Sequence, residues 1–178
     1  MTVIAVSRPE ADEFAPFYAS YIASVPPIED ATALLTVQSD RLVRQLAALS
    51  DEQAEFRYAE GKWSIKELLG HMSDAERIFA YRLLRIGRGD ETPLAGFEEN
   101  DYVPAGTFDR RPLADLLEEW IAARSSTVAL VRGLPSDAWT RRGSANGRPV
   151  SARALLYVML GHIDHHQRML EERYRIAR

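Results

Sequence analysis

Cysteine is absent from the 178 residues of this chain. That excludes disulfides and thiolate metal ligands, so any bound metal must take imidazole, carboxylate or backbone oxygen. A long apolar run is also missing: the longest, Ala154 to Leu160, is far too short to span a bilayer. No signal peptide is visible at the N-terminus, so the cytoplasm is the expected location and no membrane partner is expected. Nor does one sign of charge dominate. A net charge of −4 with scattered basic residues leaves no stripe for nucleic acid, and there is no acidic catalytic cluster. The motif H-E-x-x-H is missing as well, which argues against a zincin-type protease. What remains is an ordinary globular composition, at a length suited to one domain, 1–178, with one substantial core.

The pattern that is present is helical almost throughout. An aromatic-rich stretch from Glu10 to Val25 ends at Pro26-Pro27, which cannot continue a helix. It predicts an N-terminal helical extension, residues 1–27, packed on the rest. Leu34, Leu35, Leu42, Leu46 and Leu49 then recur near helical period between Ile28 and Leu49. Ser64 and Glu67 form a capping box opening a second long helix, which Gly87 and Gly89 stop. A third runs from Pro112, read as its first turn, to Arg132, and a fourth from Ser151 to about Arg173. Four long helices and no convincing strand predict an all-α four-helix bundle. The connection from Gly87 to Arg111 exceeds the usual 2–8 residues of a bundle loop. It either spans the bundle, making the second and third helices parallel, or acts as a lid.

All four histidines lie on two of these helices. His162 and His166 are one turn apart, so their imidazoles share a face. At about 100° per residue, both fall within the stripe Leu155, Met159, Ile163, Met169 and Leu170, while His165 lies toward its edge and Asp164 faces solvent. His71 sits beside the apolar face Ile65, Leu68, Met72, Phe79 and Ile86. Three separate core histidines would each need a private hydrogen-bond partner, and an unpartnered buried polar group costs about 1–3 kcal/mol. One divalent cation satisfies a nitrogen of all three at once. His71, His162 and His166 are therefore the candidate ligands. Three protein ligands leave a coordination position open, as in catalytic rather than structural zinc. Asp74, one turn after His71, and His165 are candidates to orient a ligand or carry a proton.

These residues resemble a known family. Lys62-Trp63-Ser64-Ile65-Lys66-Glu67-Leu68-Leu69-Gly70-His71, with Asp74, Glu76 and Arg77, is similar to the second helix of the DinB/YfiT-like superfamily. Gly161-His162-Ile163-Asp164-His165-His166 resembles that family's fourth-helix histidine pair, and Asn146-Gly147-Arg148-Pro149-Val150-Ser151 resembles its approach to that helix. The resemblance runs from about Pro9 to Tyr174. It implies a four-helix bundle with the long connection between helices two and three. It also implies a homodimer, and a zinc or nickel ion on His71, His162 and His166, with His165 an accompanying non-ligand.

For activity the resemblance implies either a low-molecular-weight-thiol-dependent S-transferase or a metal-dependent hydrolase, acting on a small-molecule substrate. A third reading is a non-enzymatic binding or scaffold protein whose metal fixes the bundle. A carboxylate-bearing thiol needs cationic anchors, for which Arg82 and Arg148 are candidates. Trp63, Phe79, Tyr81, Phe97 and Tyr102 are candidate pocket aromatics. Glu98, Glu99 and Asp101 reach a metal only if their segment folds over the mouth.

Overall fold

Each long helix begins where a polar group takes up free backbone N–H groups. In the computed structural model, which describes residues 3–177, Asp30 accepts from Thr32 and Ala33 at the start of α2 (Ala31–Leu46), after the short α1 (Ala19–Ser24). Residues 1, 2 and 178 of the single-domain reading lie outside the described residues. A four-residue α3 (Asp51–Ala54) follows α2. Ser64 and Glu67 form the expected capping box of α4 (Ile65–Gly87). Beyond α5 (Glu99–Gly106) lies α6 (Leu113–Arg132), where Pro112 is the residue before the first turn rather than in it. The Leu113 N–H at that start donates to Asp51 at 2.7 Å. Ser151 accepts from Ala154 at the start of α7 (Ala152–Glu172).

Ion pairs and hydrogen bonds fix the directions. Ser64 donates to Asp109 at 2.5 Å, Arg77 pairs with Glu119, and Arg88 reaches the Gly133 carbonyl, so α4 and α6 run parallel. Gln38 meets Leu160 and Arg41 meets Glu171, which makes α2 and α7 parallel as well. The order is up, down, down, up. The long connection therefore does return along the bundle, and part of it also folds over one side as α5.

Two expectations need correction. A two-stranded antiparallel hairpin, β1 (Arg142–Ala145) and β2 (Arg148–Ser151), interrupts the helical pattern before α7. Its turn is Asn146-Gly147 with φ of 52° and 68°, the left-handed pair that a two-residue hairpin requires. The segment from Glu10 to Val25 is not one helix. It forms two 3₁₀ turns, Ala11–Glu13 and Pro16–Tyr18, before α1, because Pro16 lacks the N–H that would join them.

The core divides into two apolar halves. One gathers Leu35, Phe79, Leu83, Val131 and Leu155; the other gathers Leu42, Leu68, Met72, Trp120, Ile163 and Leu170. Between them, buried polar residues come from all four long helices: Gln38, Ser73 and Glu76, Arg124 and Thr127, and Gln167 with the histidines. Arg124 meets Glu76 at 3.1 Å and Gln38 at 3.3 Å, and lies over the Trp120 ring. Asp164, expected at the surface, instead accepts from Gln38 at 2.8 Å.

The N-terminal segment packs on α7 through a close backbone approach. A Cβ at Gly161 would stand 2.2 Å from the Tyr21 carbonyl oxygen. Gly161→Ala is therefore expected to push α1 off α7 and cost about 1–3 kcal/mol. A thermal scan should show a loss on the order of 5 °C; an unchanged midpoint would overturn this account.

Glu13 anchors the same segment. Its buried carboxylate accepts from Ser151 at 2.6 Å and from Arg153 Nε at 2.7 Å. The Arg153 guanidinium holds the Glu13 carboxyl down at about 2, against the upward pull of burial, from an ordinary 4.5. The folded value is the lower one, so the stabilisation is complete above the unfolded value and is lost as pH falls from about 4.5 toward 2. It amounts to on the order of 3 kcal/mol. Urea midpoints of wild type and Glu13→Gln should differ most at pH 6 and converge toward pH 2.5.

Candidate metal centre

Helices α4 and α7 run antiparallel, which sets residue 71 against residues 162 and 166. His71 Nε2 lies 3.0 Å from His162 Nε2, and His166 Nε2 lies 2.9 Å from the same atom. All three rings are buried, and their candidate ligand atoms fall within 4.8 Å of one another. Burial pushes His71 down to about 4. His162 and His166 are pushed well below the ordinary imidazole range, first by burial and then by neighbouring imidazoles, with Arg124 adding to the effect at His162. All three are neutral at pH 7, which is the ligating form.

The donor set fits a divalent ion. A neutral imidazole nitrogen carries one hydrogen or one lone pair, never both. His162 Nε2 touches two other Nε2 atoms, so at most one of the two contacts is a conventional hydrogen bond. A shared cation accepts a lone pair from each nitrogen and removes the conflict. Ligand nitrogens around tetrahedral zinc stand about 3.3 Å apart, given bonds of about 2.0–2.1 Å. The His71–His162 and His162–His166 spacings, 3.0 and 2.9 Å, are within a few tenths of an ångström of that. His166 Nδ1 and both amide atoms of the neighbouring Gln167 are buried without a protein hydrogen bond.

The cluster forms the floor of a cavity of about 380 Å³. Its walls come from outside the four long helices as well as from them. Phe17, Tyr18 and Tyr21 enter from the N-terminal segment, Trp63 from the loop before α4, Phe97 and Glu99 from the long connection, and Asn146 from the hairpin turn. Tyr21 lies edge-on to His162 with ring centres 5.8 Å apart. Burial pushes both the Tyr18 and Tyr21 phenols up, while Arg82 beside Tyr18 works in the opposite direction. Arg82 is 4% exposed, donates to the Ala95 carbonyl at 2.8 Å and lies against the Phe79 and Phe97 rings.

The structure brings His71, His162, His166, His165 and Arg82 together, and it leaves three other candidates outside the cavity lining. Asp74 is half-buried on the side facing α6, 3.7 Å from Arg77. Tyr102 is 46% exposed and touches the site only through Phe97, 5.5 Å between ring centres. Arg148 is exposed on β2; two residues earlier in the hairpin, Asn146 lines the cavity instead. Trp63, Phe79 and Phe97 line it as the aromatic pattern suggested, whereas Tyr81 is 51% exposed. Of the three loop carboxylates, Glu99 reaches the mouth, while Glu98 caps α5. Tyr18 and Tyr21 were visible only as part of the aromatic run of the packed N-terminal extension, with no assigned part in the site.

Residues 33–170 match the family model of the DinB superfamily. Among solved structures, YfiT from Bacillus subtilis, described as a probable metal-dependent hydrolase with an unusual four-helix bundle topology, superposes with a TM-score of 0.73 at 16% identity. That match covers 96% of this chain and 93% of YfiT. The mycothiol-dependent maleylpyruvate isomerase superposes at 0.66 and 19% identity, over 82% of this chain and 61% of its own. A DinB-like protein from Bacillus subtilis gives 0.60 and 21%, over 82% and 89% of the two chains. At these identities the likeness establishes the fold. No curated protein matches significantly. Among the described residues no helix is long and apolar enough to cross a membrane.

Proposed function

The chain belongs to the DinB superfamily, and from that premise we propose that it is a metal-dependent S-transferase using a small-molecule thiol. The observation that carries this reading is the convergence of three neutral imidazoles on the floor of a cavity that also holds Arg82 and Glu99. His71, His162 and His166 would hold the ion; the all-imidazole donor set suits zinc, nickel and iron alike, and the family resemblance points to zinc or nickel. Such an ion, when bound, favours the thiolate form of a thiol at neutral pH.

The chain's own residues do the rest. Glu99 or His165, both lining the cavity, takes the proton that the thiol gives up. The sulfur then forms a bond to an electrophilic carbon, and the leaving group departs with its bonding pair. Arg82 fixes an anionic group of the bound molecule by charge-assisted hydrogen bonds. Tyr18, Tyr21, Trp63 and Phe97 exclude water from the reacting atoms. A homodimer in the cytoplasm completes the reading.

Hydrolysis is the second reading, favoured by Glu99 and His165 as proton acceptors in the same cavity and consistent with the description of YfiT. The test is to load the protein with zinc or nickel and supply an electrophilic fluorophore with and without a thiol. Metal-dependent thioether formation that His166→Ala abolishes supports transfer. Ester cleavage without thiol supports hydrolysis. Bound metal with neither activity leaves a structural metal in a binding protein.

A further inference from the structure

His165, on α7, lines the metal cavity. That residue also lines a second groove, of about 570 Å³, with Tyr58, Lys62, Arg168, Glu172 and Arg173. The two spaces adjoin at a second point, because Lys62 in the groove precedes Trp63 in the cavity wall. The groove is built on α7 itself: His165, Arg168 and Glu172 lie three and four residues apart and share a face. Its other wall is held in place, since Tyr174 donates to the Trp63 carbonyl at 2.7 Å and packs edge-on to Tyr58, 4.9 Å between ring centres.

Its charge runs against that of the molecule. The chain carries a net −4, yet the groove presents three cations, Lys62, Arg168 and Arg173, against the one carboxylate of Glu172. All three cations are exposed, and among the described residues none has an ion pair or a side-chain hydrogen bond. Unpaired cations lining a concave surface attract an anion more strongly than the same charges spread over a convex one. Along α7 the distance from residue 166 to residue 173 is about 10 Å. A molecule of tripeptide length spans it.

We propose that this groove is a second subsite, which binds the anionic end of an elongated thiol whose sulfur lies at the histidine cluster. The anionic group is a carboxylate or a phosphate. This rests on the thiol-dependent reading above and deepens it. Lys62, Arg168 and Arg173 select for the tail, the histidines receive the sulfur, and Arg82, in the metal cavity, is left to hold the electrophile.

The test uses the cobalt-loaded full chain, with thiol binding followed through the cobalt absorption. The probes are 2-mercaptoethanol as the tail-less reference, glutathione for carboxylates and coenzyme A for phosphates. Glutathione or coenzyme A should bind about tenfold or more tightly than the reference at low salt, and the preference should shrink as salt screens it. The one with the larger preference identifies the anion. In Arg168→Ala/Arg173→Ala, whose substitutions are both at the surface, the preference should fall about tenfold. If the preference is the same in wild type and the double variant, the subsite is overturned and the thiol reading stands. If no thiol changes the cobalt spectrum, the thiol reading is overturned and the subsite with it.

Discussion

His166→Ala should reduce bound divalent metal from about one equivalent to less than about a tenth, while leaving the metal-free protein folded. Two effects separate here. Without metal, the alanine removes a buried ring whose Nδ1 has no partner and whose Nε2 crowds that of His162, so metal-free stability should change little. With metal at a hundredfold excess over its dissociation constant, wild type gains about 2.7 kcal/mol by mass action, and the variant gains almost none. Plasma mass spectrometry gives the stoichiometry, and thermal scans with and without metal give the linkage. Equal metal content in the two proteins, or an equal thermal shift, would refute the three-histidine site.

Arg124→Met should be strongly destabilising. Arg124 and Glu76 are each 2% exposed, and their contact at 3.1 Å is the centre of the polar layer between the two apolar halves. Methionine removes the guanidinium and leaves the carboxylate buried without its cation. Breaking a buried pair from one side costs about 3–5 kcal/mol. Gln38 also loses its Arg124 donor, and the Trp120 ring loses the cation above it. The double variant Glu76→Leu/Arg124→Met should recover most of the loss, because a buried pair replaced by apolar groups is often neutral. Urea midpoints of the four proteins in that cycle decide it. A double variant no more stable than Arg124→Met would mean that the pair is not coupled.

The parts legible in the sequence were those governed by local rules. Ser64, Glu67 and Ser151 announce helix starts because capping is decided within four residues. His162 and His166 announce a shared face because one helix sets their relation, and His71 joins them because its helix has a matching apolar side. The hairpin had a signal in Asn146-Gly147, but Gly143, Ser144 and Pro149 supply no alternating apolar pattern around it, and proline is tolerated there only as in an edge strand. Arg148 was named for its charge alone, as an anchor for a carboxylate, and Asn146, which lines the cavity, carried no assignment. The Arg124–Glu76 pair was out of reach for a different reason. It depends on the register of two helices joined by a long connection, and no local pattern sets that register.

Gly70 and Gly161 each stand immediately before a histidine of the cluster, and each is where an outlying segment touches its helix: a Cβ at Gly70 would meet the Phe108 ring at 2.4 Å, as one at Gly161 would meet Tyr21. The ligands thus ride on the two helices, while much of what a substrate would touch hangs from chain outside them, seated on a surface kept bare of side chains. On the proposed function, metal binding and molecular taste would be written in different stretches of the chain. Exchange of residues 14–21 and 97–108 would then admit new substrates while His71, His162 and His166 stay as they are.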